Sequence, residues 1–146
     1  MPEIKLIEFK DHLEKLDFEF SYIGMIDGNH CDTYKSLYDE FAKVLQFPDY
    51  FGKNMDALYD CLLDLSWIEE REILLVIHRF DEILKSELAI HPDAKTELLL
   101  LLDQVCERDE LDFTVEPDLK VLRIAIVESC DAEEILINNK IPFEKI

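Results

Sequence analysis

The run Ile73-Leu74-Leu75-Val76-Ile77 constrains the fold of this chain more than any other stretch. Successive side chains of a strand point to opposite faces, so an unbroken apolar strand needs cover on both sides of its sheet. Helical segments stand before and after it. Asp32 can cap a helix running to about residue 45, with Tyr34, Leu37, Tyr38, Phe41, Val44 and Leu45 as its buried stripe. Pro48 blocks continuation, and a short helix begins at Asn54. Pro92 and Asp93 open a longer helix to about Asp109, and its apolar run at 98–102 implies burial on most sides. Residues 18–26 and 119–127 read as further strands, the first stopped by Asp27-Gly28. Residues 2–16 have a mixed period and read as a short strand or helix, 80–88 as a brief helix, and 110–118 as a polar surface loop; the tail from Asp131 holds a helical turn. Strands separated by helices give a small parallel sheet packed by helices, an α/β fold of one domain over 1–146.

The short helix from Asn54 carries the chemistry. The Asn54 side chain can cap free backbone N–H groups, and Gly52 allows a tight turn just before it. Met55, Leu58, Leu62 and Leu65 fall on one face, and Asp56, Asp60 and Asp64 on the opposite one. Like charges four residues apart weaken a helix by roughly 0.2–0.5 kcal/mol per pair. Lys53 is the only nearby basic residue able to offset that stripe. Asp56 gains from the helix dipole in the first turn, whereas Asp60, a turn further on, gains much less. A solvated face is one reading of this pattern. The aromatic residues Tyr50, Tyr59 and Trp67 beside the carboxylates favour the other, a protein-binding surface.

Charge narrows the partner. The chain has 34 acidic and 15 basic residues, a net charge of −19, which argues against direct nucleic-acid binding and favours a cationic partner. The first ten residues alternate charged and apolar side chains, unlike a secretory signal, and the longest apolar run is far too short to span a bilayer. These features predict a cytoplasmic protein with reduced, partly buried thiols at Cys31, Cys61, Cys106 and Cys130. Cys61 reads as a small hydrophobe at the inner boundary of its helix. His30-Cys31-Asp32, His78 and His91 lack metal-ligand spacing, and no cofactor motif is present. Paired carboxylates on a convex helix, without a nucleophile–histidine motif or a phosphate loop, do not make an enzyme.

The string Pro48, Tyr50, Phe51, Gly52, Asn54, Met55, Asp56, Ala57, Leu58, Tyr59, Asp60, Cys61, Leu62 resembles the barstar family, bacterial inhibitors of barnase-type ribonucleases. The resemblance implies a barstar-like α/β fold, a three-stranded parallel sheet packed with about four helices over a core of roughly residues 18–130. It leaves an N-terminal extension at 1–17, an insertion around 109–119 and a longer C-terminal region. By the same resemblance, Asp60 enters the nuclease's phosphate site, Tyr50 packs on its catalytic histidine, and Asp56 pairs with a basic side chain. Gly52, Asn54 and Met55 line the contact, Asp64 extends the acidic stripe, and Asp103 supplies a further acidic contact. Tyr59 and Leu65 stand where the best-known members have tryptophan, and Trp67 lies close enough to substitute for the second. A carboxylate on a rigid helix imitates a phosphate and accepts charge-assisted hydrogen bonds from arginine. The expected function is inhibition of, or immunity to, a basic ribonuclease or toxin nuclease. The alternative is an acidic module that binds a cationic partner other than a nuclease.

Overall fold

The computed structural model describes residues 4–7, 22–111, 120–127 and 129–145. Strands β1 (Ile4–Ile7), β2 (Tyr22–Asp27), β3 (Glu72–His78), β4 (Val121–Val127) and β5 (Glu144–Lys145) form one sheet in the order β2-β3-β4-β1-β5. Every adjacent pair is parallel. Four helices accompany it among the described residues: α1 (Tyr34–Val44), α2 (Met55–Asp64), α3 (Ala94–Leu111) and α4 (Cys130–Asn138). The expected three-stranded parallel sheet is thus one side of a wider one, with β2 at its edge. β2, β3 and β4 lie side by side, with Ile23 opposite Leu74 and Leu74 opposite Arg123. Beyond β4, Ile4 of β1 pairs with Ile124, and Lys5 in turn pairs with Glu144. Neither added strand has a clean period-two signature, because one is four residues long and the other two. Residues 109–111, expected within the insertion at 109–119 and the loop at 110–118, belong to α3, and the expectations for 1–3, 8–21 and 112–119 lie outside the described residues.

The apolar run is buried along its length, as its composition requires. Ile73, Leu75 and Ile77 join Ile26 of β2 and Leu122, Ile124 and Ile126 of β4 in one hydrophobic cluster. That cluster also takes Leu37 and Phe41 from α1, Leu58 and Leu62 from α2, Leu98 and Leu102 from α3, and Leu136 from α4. Leu74, Val76 and Ala125, which point to the other side of the sheet, are buried too. On α3 the apolar run is only partly enclosed: Leu100 is 37% exposed and Leu101 half-buried. Cys31, Cys61 and Cys106 are buried, whereas Cys130 is exposed at the start of α4. No helix among the described residues is long and apolar enough to cross a membrane.

Polar contacts fix the helix ends, and two differ from the sequence reading. Thr33, not Asp32, caps α1: its hydroxyl accepts from the Ser36 N–H (3.1 Å) while the Ser36 hydroxyl accepts from the Thr33 N–H (2.9 Å). Asp32 instead accepts from the Ser86 N–H (3.1 Å) and hydroxyl (2.6 Å), which ties the start of α1 to the segment after β3. That segment forms two 3₁₀ turns, Phe80–Glu82 and Lys85–Glu87, and not one helix. Arg79 and Leu84, both left-handed (φ 54° and 56°), interrupt the helical path before each turn. The Lys95 ammonium, buried under α3, donates to the Asp81 carbonyl (2.7 Å) and to Asp131 of α4 (2.8 Å). Gly28 is required by sterics: a Cβ there would stand 1.8 Å from the Arg79 carbonyl oxygen.

Candidate functional site

α2 starts where Asn54, in extended geometry, turns its side chain onto the helix: Oδ1 accepts from the Ala57 N–H at 2.8 Å. One face of α2 then enters the core through Leu58, Cys61 and Leu62, with Leu65 buried just past its end. Asp56, Asp60 and Asp64 are all exposed on the other face. Among the described residues, neither a basic residue in the last turn nor an ion pair neutralises that stripe. Lys53, which the sequence offered as its counter-charge, pairs with Asp39 of α1 at 3.2 Å. Lys53 itself is left-handed, with φ 51°. The left-handed step before the helix is therefore at Lys53. Gly52 has no positive φ, and a Cβ on it would make only ordinary contacts, 3.5 Å from Ala57 and Asn54.

The loop joining α1 to α2 presents Tyr50, whose side chain is 71% exposed, while Phe51 beside it is buried. A turn closed by the Phe51 N–H to the Pro48 carbonyl (3.0 Å) sends the two rings opposite ways. Tyr50 lies close to the C-terminal half of α2. Its phenol is raised above the usual tyrosine range by local desolvation and then by Asp64 and Cys61. The Cys61 thiol is raised likewise, by burial and then by Asp60 and Asp64. Both groups therefore stay protonated near neutral pH, and Tyr50 offers a hydroxyl donor and an aromatic face.

On the other flank an open groove of about 440 Å³ separates α2 from α3. Met55, Asp56 and Tyr59 line it from α2, and Glu97, Leu100, Leu101 and Gln104 from α3. Its floor is apolar and carboxylates stand on both banks, which suits the aliphatic stem and cationic head of an arginine or lysine. Of the residues singled out in the sequence, Tyr50, Gly52, Asn54, Met55, Asp56, Tyr59, Asp60 and Asp64 are gathered on α2 and its preceding loop. Asp103, half-buried on α3, is not part of the groove lining. Trp67 is half-buried and turned under the loop, its indole N–H donating to the Leu45 carbonyl at 2.8 Å. Glu97, Leu100 and Gln104 were not singled out: nothing in their local sequence reveals which turn of α3 faces α2.

The three residues His30-Cys31-Asp32 diverge. His30 meets Glu40 (3.3 Å), the buried Cys31 thiol points to the Asp27 carbonyl (3.4 Å), and Asp32 is held by Ser86. No group of three or more potential metal ligands converges among the described residues.

Comparison with known proteins points the same way as the geometry. The family model described as "Barstar (barnase inhibitor)" matches residues 23–118, which hold the whole loop, α2 and β3. A protein of Bacillus subtilis (strain 168) named "Putative ribonuclease inhibitor YrdF" is 39% identical over 57 residues. The match spans 39% of this chain and 59% of that relative's length.

Proposed function

The chain belongs to the barstar family, and from that premise we propose that it inhibits a basic ribonuclease or toxin nuclease by occluding its active site. It performs no chemistry of its own. The observation that carries this reading is the exposure of Asp56, Asp60 and Asp64 on a helix whose opposite face is locked into the core. A rigid carboxylate can occupy a phosphate site and accept paired hydrogen bonds from arginine without paying to become ordered on binding. Asp60, at the centre of the stripe, takes that role. Tyr50 stacks against the neighbouring aromatic or imidazole group of the enzyme. Asp56 and the groove beside it receive a second basic side chain, with Tyr59 packing on its stem. Gly52, Asn54 and Met55 let the enzyme surface approach the start of the helix. A net charge of −19 draws a cationic enzyme toward this face from a distance. A cytoplasmic immunity role, protecting the producing cell from its own nuclease, fits the same reading.

The test is titration of the purified protein against barnase and other basic microbial ribonucleases. Asp60→Ala should weaken inhibition by about 2 kcal/mol or more, some thirtyfold, as interface hot spots do. Glu133→Ala on the remote helix α4 removes the same charge and should change inhibition only a few-fold. Equal effects of the two would assign recognition to bulk charge. The association rate should drop steeply as salt rises toward the regime where the Debye length is about 3 Å. A rate indifferent to salt would remove electrostatic steering from the mechanism.

A further inference from the structure

Resting on that reading, we propose that Trp67 and Phe47 are positioning residues, which hold the 46–54 loop in its binding shape from beneath without touching the partner. Trp67 follows α2, yet its indole N–H caps the α1 end at the Leu45 carbonyl (2.8 Å), immediately before the loop starts. Its ring meets Phe47 edge-on, with centroids 5.8 Å apart and planes at 84°. Phe47 meets Phe51 in the same manner at 4.8 Å, and Phe51 meets Tyr38 of α1 at 6.1 Å. Four rings thus form a continuous edge-to-face chain that clamps both aromatic anchors of the loop. Between those anchors, Tyr50 is left 71% exposed.

A second, independent feature shows why a clamp is needed. Gln46 and Lys53 stand near the two ends of the loop and are non-glycine residues in left-handed geometry, with φ of 55° and 51°. Such conformations carry a local cost and persist only where the surroundings over-determine them. Without the clamp the loop would relax, and only a fraction of molecules would present Tyr50 correctly. Apparent affinity falls by that fraction, and the loss falls on association when the partner must wait for the competent shape. A contact residue behaves differently, because its removal chiefly speeds dissociation.

Amide exchange and binding kinetics on the full chain separate the two roles. The Phe47 and Phe51 N–H groups, bonded to the Ala42 (2.9 Å) and Pro48 (3.0 Å) carbonyls, report the loop directly, and Leu62 in mid-α2 reports the core. In free Trp67→Leu and Phe47→Leu variants, exchange at Phe51 should rise about tenfold while Leu62 is unchanged. Association with barnase should slow by a similar factor, with dissociation within about twofold of wild type. Trp67→Phe, which keeps an aromatic edge, should restore much of both. Tyr50→Ala should leave loop exchange alone and speed dissociation. Unchanged Phe51 exchange in both leucine variants, or a binding loss confined to dissociation, would overturn the proposal. If Trp67→Leu does not fold, Phe47→Leu and Trp67→Phe decide. If wild-type protein ignores barnase, inhibition of that enzyme fails, and the exchange measurements still decide the positioning role.

Discussion

Replacing Asp60 by asparagine should make this protein more stable even as it weakens binding. Asp60 sits between Asp56 and Asp64, one turn from each, and all three are exposed. Lys53 is engaged with Asp39 at 3.2 Å, and α2 has no basic residue in its last turn. Each like-charge pair at this spacing costs roughly 0.2–0.5 kcal/mol, so neutralising the central member relieves about 0.4–1 kcal/mol. Asparagine and aspartate have nearly the same helix propensity, so little else changes within the helix. For a chain of 146 residues, this corresponds to a rise in Tm of about 1–4 °C. The assay is a thermal melt at low ionic strength, repeated near 1 M salt, where screening over about 3 Å should erase most of the gain. Asp39→Asn is the control: it breaks an exposed ion pair and should be neutral or destabilising by up to about 1 kcal/mol. If Asp60→Asn melts at or below the wild-type temperature at low salt, the stripe carries no cost left unexplained by the fold. A local cost of this kind tends to mark a working surface, and that support for the acidic face would then be refuted.

Four further outcomes follow from the geometry. Gly28→Ala places a Cβ 1.8 Å from the Arg79 carbonyl and should cost about 3 kcal/mol or more in urea denaturation. Gly52→Ala, by contrast, should be neutral or stabilising by up to about 1 kcal/mol, so any loss of inhibition in that variant reports contact with the partner. Burial, and then Glu40 and Asp27, push the Cys31 thiol from 9.0 up to about 12. The folded state therefore holds a proton that the unfolded chain releases, so stability should be level below about pH 9 and decline from there toward about 12. Urea midpoints across that range should show the decline, and Cys31→Ala should make it shallower, leaving the part due to Cys61, Tyr34, Tyr38 and Tyr50, which are raised too; a wild-type profile already level to about pH 11 would contradict the sign. Finally, Thr33→Ala should lower stability by about 1 kcal/mol through loss of the α1 cap, and Thr33→Asp should restore most of it in the same melts. No recovery in the aspartate variant would mean that Thr33 acts through something other than capping.

What could be read before any coordinates is what depends on spacing along the chain. A five-residue apolar run has no polar face to show water, so β3 had to lie inside a sheet covered on both sides. Helical periodicity alone separates Asp56, Asp60 and Asp64 from Leu58, Leu62 and Leu65, and an asparagine before an apolar stripe is a cap because the N–H it serves is three residues away. The tertiary structure decided matters that involve distant partners. It gave Lys53 to Asp39 and Asp32 to Ser86, and it set the Trp67 indole N–H against the Leu45 carbonyl. It also set α3 beside α2 to form the groove, and added β1 and β5 to the sheet. In each case the partner lies far away along the chain. Such pairings are set by packing between separate segments, which no local window of sequence contains.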